Sequence, residues 1–169
     1  MADRFQRITP FLWFHDNAED AVKFYVSVFK NSRIGQVTHY TKESSNASGQ
    51  SEGSVMTIAF ELDGEPFTAI NGGPHFKFNE AVSFVINCDS QEEIDYYWDK
   101  LTEGGDPKSQ VCGWLKDKFG LSWQVTPTDL PELMRNAATT AAVMKEVLKM
   151  KKIDLATLRR AAKMQMGAM

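Results

Sequence analysis

The chain has 169 residues, 43% of them hydrophobic, and a formal net charge of −3. That is enough for one compact domain or two small fused modules, and the acidic balance leaves no electrostatic footprint for nucleic acid. Two cysteines, Cys88 and Cys112, cannot make a disulfide framework, and no run is apolar enough for a signal peptide or a membrane span; a reducing cytoplasm is the expected location.

Residues 6–14 read as a strand, with Pro10 arguing for an edge or a bulge because proline cannot donate to a ladder. Asn17 is the predicted N-cap of a helix, with Glu19 and Asp20 in its first turn and Ala21, Phe24, Tyr25 and Val28 at helical spacing. Asn31 and Ser32 end it. Residues 34–40 form a predicted strand. Residues 43–53 are rich in Ser, Asn and Gly and are expected to be a mobile loop, suited to act as a lid. Residues 54–62 and 66–70 form a predicted hairpin across Asp63-Gly64, and Asn71-Gly72-Gly73-Pro74 breaks the chain.

The pattern then returns. Residues 81–87 are an apolar strand, and Ser90-Gln91-Glu92-Glu93 is a capping box ahead of Ile94, Tyr97, Trp98 and Leu101. Gly104-Gly105 stops that helix. Residues 111–116 and 121–126 are strands joined across Asp117-Lys118-Phe119-Gly120. One constant offset carries Asn17 onto Ser90, Glu19 onto Glu92, and Ala21, Phe24, Tyr25 and Val28 onto Ile94, Tyr97, Trp98 and Leu101. Cap, acidic turn and buried face coincide, which argues for duplication. Beyond Pro127 and Pro131, residues 133–150 and 154–164 are predicted helices, with Asp154 as N-cap. Met144, Val147, Leu148, Ile153, Leu155 and Leu158 give them an apolar face. Helices this short need packing, either on the preceding module or on a partner subunit.

Strand, capped helix and three strands, twice over, resembles the vicinal-oxygen-chelate superfamily of glyoxalase I, ring-cleavage dioxygenases and antibiotic-resistance proteins. Three stretches resemble its PhnB-like branch: residues 14–21 with Phe24-Tyr25, Asn71-Gly72-Gly73-Pro74, and residues 112–124. The resemblance is read over residues 5–165, including 150–155. It implies an α+β fold: two tandem βαβββ modules forming curved mixed sheets around a cavity, with C-terminal helices. The expected segments are 1–75, 76–128 and 129–169.

Many proteins of that branch carry the name 3-demethylubiquinone-9 3-methyltransferase. A methyltransferase of the Rossmann type needs a glycine-rich strand-to-helix turn. Here Asn71-Gly72-Gly73-Pro74 runs on to Phe76 and Phe78 instead of a helix. Metal-dependent relatives converge His, His or Gln, and Glu on one ion, with positions left open for substrate. The resemblance sets Thr9 and Gln124 at two of those places and the Ala81 region, with Glu80 as its only donor, at a third. Threonine, alanine and glutamine bind metals weakly, so no metal and no cofactor is expected. The three histidines, His15, His39 and His75, fall elsewhere.

Strand alternation sets Ser122 and Thr126 with Gln124 on one face of the last strand, and Thr9, Phe11 and Trp13 on one face of the first. The expected ligand-binding residues are Thr9, Phe11, Trp13, His39, Phe60, Ser122 and Gln124. Most of the aromatic residues are expected to serve core and dimer packing, and the rest a cavity wall. Cys112 has no neighbouring base to activate it, Asp117 is expected to hold its own turn, and no catalytic dyad is assigned. The leading reading is a metal-independent, small-molecule-binding homodimer without nucleic-acid or membrane partners. The alternatives are a metal-dependent lyase, isomerase or dioxygenase of the glyoxalase type, and the methyltransferase of the inherited name.

Overall fold

The computed structural model describes residues 6–166, so residues 1–5 and 167–169 of the expected end segments lie outside the described residues. The chain divides into two compact units, up to Phe78 and from Asn79 onward.

The first unit contains β1 (Phe11–Phe14), α1 (Ala18–Val28), β2 (Arg33–His39), α2 (Lys42–Ser48), β3 (Val55–Leu62) and β4 (Glu65–Asn71). Its sheet order is β1-β4-β3-β2, with β1 parallel to β4 and the other pairs antiparallel. β1 starts at Phe11, later than predicted, and it is an edge strand, where Pro10 is tolerated. Asp63 and Gly64 both have positive φ, as a two-residue hairpin of the twist-matching kind requires. Alternation decides the core. Leu12, Phe14, Ile58, Phe60, Leu62 and Ala69 share one buried face, and α1 lays Ala21, Val22, Tyr25 and Val28 against it. Each large apolar side chain buried this way contributes roughly 1.5–3 kcal/mol. The opposite face carries Phe11, Trp13, Thr57, Ala59, Glu61 and Thr68.

Two local predictions are corrected here. Asn17 occupies the N-cap position of α1 but makes no side-chain cap. The cap comes from Asn71 at the far end of β4, whose Oδ1 accepts from the Ala18 N–H at 2.8 Å. Asn71 Nδ2 donates to Glu19 Oε2 and to the Val55 carbonyl, and the Asn71 carbonyl accepts from the Tyr40 hydroxyl. Asn71 is 6% exposed, and a buried amide needs such partners. Gly72 follows because a Cβ there would stand 2.2 Å from the Trp13 ring. The segment expected to be a mobile loop is partly the helix α2. Thr41 and Ser44 form its capping box and Gly49 ends it in the left-handed region. Serines that favour loops on average favour caps when they sit at the right offset. None of its side chains is buried.

The second unit contains β5 (Phe84–Cys88), α3 (Gln91–Thr102), a 3₁₀ turn (Pro107–Ser109), β6 (Trp114–Lys116), β7 (Ser122–Pro127), α4 (Leu130–Leu133), α5 (Ala137–Val147) and α6 (Leu155–Met166). The sheet order is β5-β7-β6, with β5 parallel and β6 antiparallel to β7. The strand equivalent to β2 does not form among the described residues. The run predicted over 111–116 is shortened because Cys112 and Gly113 both take positive φ and make a tight turn between Val111 and Trp114. Ile94, Trp98 and Leu101 of α3 bury against Leu115, Trp123 and Val125. Ser90 caps α3 through the Glu93 N–H, while the Glu93 carboxylate reaches the Asp89 N–H one residue further back.

The C-terminal helices pack on this unit. Cys112 and Gly113 donate to the carbonyls of Met150 and Lys151, both at 2.8 Å. Gln91 brackets the start of α6, donating to the Ile153 carbonyl and accepting from the Leu155 N–H. Ile153, Leu155 and Leu158 are buried as expected; Leu148 is 68% exposed and Met144 is exposed as well. The helix predicted over 133–150 is interrupted, because the Asn136 side chain caps a new start through the Thr139 N–H. Asp154 caps α6 through the Thr157 N–H.

Candidate functional site

The open face of the first sheet carries a groove of about 370 Å³. Thr9, just before β1, is in its wall together with Arg33, Gly35, Ala59, Glu61 and Thr68. Strand register brings these together: Arg33 lies opposite Glu61, and Ala59 opposite Thr68, which in turn faces Phe11. Gly35 and Ala59 present no side chain beyond a methyl, so the floor is close to bare backbone. Arg33 Nε and Nη2 donate to the two Glu61 carboxylate oxygens at 2.9 and 2.6 Å. This two-pronged pairing raises the guanidinium pKa and lowers that of the carboxyl.

The residues nominated from sequence separate. Phe11 is 58% exposed on this open face beside Thr68. Trp13 shares the face, but its ring is engaged: the indole N–H donates to the Gly73 carbonyl at 3.0 Å, and Phe76 meets it edge-on. Phe60 belongs to the groove's lining, but its ring does not face the open side. It is 2% exposed and points to the α1 side, stacked on Phe67. A shift of one position along a strand changes face, and Phe60 falls on the core parity. His39 is exposed at the end of the edge strand β2, opposite Val55.

In the second unit, Gln124 Nε2 donates to Ser83 Oγ at 3.0 Å. Ser122, on the same face of β7, is 1% exposed, and its hydroxyl has no hydrogen-bond partner. Ser122 lies opposite Lys116, whose ammonium pairs with Glu80. That pairing holds the Glu80 carboxyl below the usual carboxylate range, so the donor considered for a metal is committed to a lysine. The Asp117 carboxylate accepts from the Phe119 and Leu121 N–H groups and from the Trp123 indole, and is spent on its turn. Among the described residues no three His, Cys, Asp or Glu side chains gather closely enough to hold a metal ion. The donor set at the matched positions, a hydroxyl and an amide with Glu80 ion-paired, does not fit a divalent ion.

Cys88 and Cys112 are free thiols. Burial pushes the Cys88 thiol up to about 12, which makes it a packing residue. Gly72 and Gly73 serve the Trp13 contact and a turn, not a phosphate cradle. The sequence reading missed Arg33, Glu61, Thr68, Ser83 and Lys116. Their partners depend on strand register; Glu61, set between the apolar Phe60 and Leu62 in the alternation of β3, carries the clearest local signal.

No helix among the described residues is long and apolar enough to cross a membrane. Residues 6–126 match the family described as 3-demethylubiquinone-9 3-methyltransferase. The match ends before the helical extension, so the resemblance read as far as residue 165 is shorter than expected. No curated protein matches. Among solved structures, the chain is similar to the PhnB protein from Bacillus cereus, with 36% identity and a TM-score of 0.61, over 72% of this chain and 99% of that one. It is also similar to protein PA1353 from Pseudomonas aeruginosa, with 20% identity and a TM-score of 0.55, over 73% and 98% of the two chains. The fosfomycin resistance protein FosX from Mesorhizobium loti shares the fold, with 14% identity and a TM-score of 0.54, over 80% and 100%.

Proposed function

Because the chain belongs to the family described as 3-demethylubiquinone-9 3-methyltransferase, the PhnB-like branch of the vicinal-oxygen-chelate (glyoxalase/bleomycin-resistance) superfamily, we propose that it binds a small organic molecule through hydrogen-bonding side chains, without a metal. The observation that supports this reading most directly is the groove that has Thr9 in its wall. A concave site with a few placed polar groups over small and apolar ones is the ordinary form of a ligand pocket. Thr9 and Thr68 offer hydroxyls that donate and accept. In the second unit, the Gln124–Ser83 pair is a hydrogen-bonding group of the same neutral kind.

The reading includes a homodimer acting in the cytoplasm. Exposed Ile8 and Phe11 in the first unit and Val82 and Val85 in the second are apolar surface that a partner subunit would cover. Light scattering at micromolar concentration is expected to give twice the chain mass.

The test of ligand binding uses protein purified without a histidine tag. Native mass spectrometry is expected to show an organic adduct lost on denaturation, and elemental analysis to show no stoichiometric zinc, iron, nickel or manganese. Thr9→Val is expected to lower adduct occupancy several-fold. Stoichiometric metal, or an adduct indifferent to Thr9, would reject the proposal. Titration with S-adenosylmethionine addresses the inherited family name: saturable binding would favour the methyltransferase instead.

A further inference from the structure

We propose that the groove of the first unit recognises a small zwitterion with an apolar substituent, a molecule of the α-amino-acid type, and that the Arg33–Glu61 pair selects it. The inference rests on the groove being the ligand site.

Arg33 uses Nε and Nη2 on Glu61, which leaves Nη1 uncommitted to that carboxylate. Each Glu61 oxygen accepts one of these bonds and retains a further lone pair. The pair is neutral in sum but presents a fixed cation beside a fixed anion. Its members differ in reach, with the Arg33 side chain 75% exposed and that of Glu61 29% exposed.

Three kinds of ligand meet this pair differently. An anion drawn to Arg33 is repelled by Glu61 at nearly the same distance. A cation drawn to Glu61 is repelled by Arg33. A molecule whose carboxylate and ammonium stand side by side sets each charge against its complement. A guanidinium favours the carboxylate because the two planar groups match. The rest of the groove suits the remainder of such a molecule. Thr9 and Thr68 supply hydroxyls, Gly35 and Ala59 keep the floor low, and Pro66 adds apolar wall. A side chain at Gly35 would begin 3.3 Å from the Ala59 carbonyl, so the floor has little room for one.

The test uses the full chain and three probes that share a phenyl group: L-phenylalanine, 3-phenylpropionate and 2-phenylethylamine, titrated calorimetrically at neutral pH. Phenylalanine is expected to bind at least ten-fold more tightly than either singly charged probe. Glu61→Gln is expected to raise the affinity for phenylpropionate and lower that for phenylalanine; Arg33→Gln does the corresponding thing for phenylethylamine. The double exchange Arg33→Glu with Glu61→Arg keeps a cross-strand ion pair and is expected to retain the zwitterion preference. Equal affinities for the three probes, or affinities unmoved by either single substitution, would overturn the assignment, as would failure of all three to bind. A copurifying adduct sensitive to Thr9→Val would in that case leave the groove as a ligand site and reject only the zwitterion.

Discussion

The two units start from one plan and solve the same problem at different ranges. Each lays a capped helix across a mixed sheet. In the second, Ser90 caps α3 from within its own turn. In the first, Asn71 reaches α1 from the end of β4, and the position matched to Ser90, Asn17, makes no cap. A local cap forms whenever the helix forms. A remote cap exists only once β1, β3 and β4 are assembled, so it ties the helix start to the sheet. The units differ again in what adjoins the sheet. The first keeps a fourth strand and an open groove; the second, among the described residues, forms no such strand and carries α4–α6.

The sharpest test of this contrast is Asn71→Ala. It strips the Ala18 cap and leaves the Val55 carbonyl and the Glu19 carboxylate without their amide partner. About 3 kcal/mol of stability should be lost in urea unfolding, from a cap and a buried hydrogen-bond network together. A loss no larger than that of Ser90→Ala would break the comparison.

Gly72→Ala comes next. Its methyl would overlap the Trp13 ring, and about 2 kcal/mol is expected from the forced shift, with a red-shifted, weaker tryptophan emission from a ring turned toward water. Gln91→Ala should cost about 1.5 kcal/mol by removing both bonds that hold the start of α6. Hydrogen exchange should quicken across residues 150–166 and leave the first unit unchanged. Ser90→Ala should cost about 1 kcal/mol, the ordinary worth of a local cap.

The smallest effect is that of pH on the seating of the tail. Lys152 donates to Asp95 at 2.9 Å and approaches Asp99. The Lys152 hydrogen bond holds the Asp95 carboxyl below its usual value. A carboxyl depressed on folding contributes stability above its unfolded pKa of about 4, and that contribution is lost as pH falls through the depressed value. Both groups are partly exposed, so the effect on the tail is about 0.5 kcal/mol. Exchange rates in α6 should therefore rise slightly below about pH 4, and Asp95→Asn should flatten that rise.

The plan of each unit was legible in the sequence because it is written in short-range terms. Apolar residues at helical spacing marked α1 and α3, Ser90-Gln91-Glu92-Glu93 marked a cap, and Asp63-Gly64 marked a hairpin, each from neighbours within a turn or two. The PhnB-like stretches were legible for the same reason. Composition misled where serine and asparagine act by position: Thr41 and Ser44 start a helix in a stretch read as loop, and Asn136 restarts one in a stretch read as continuous.

What the tertiary structure alone decided is everything that depends on register between distant strands. The groove joins Thr9, Arg33, Glu61 and Thr68 only because β2, β3 and β4 align as they do. Phe60 fell on the core face and Phe11 on the open one by the same alignment. Asn71, the first residue of a motif whose spacing suggests only a turn, caps a helix that begins 53 positions earlier in the chain. The physical reason is one of range. Propensity, periodicity and capping are set by a few neighbouring residues, whereas a polar contact across a sheet is set by pairing that no local pattern encodes.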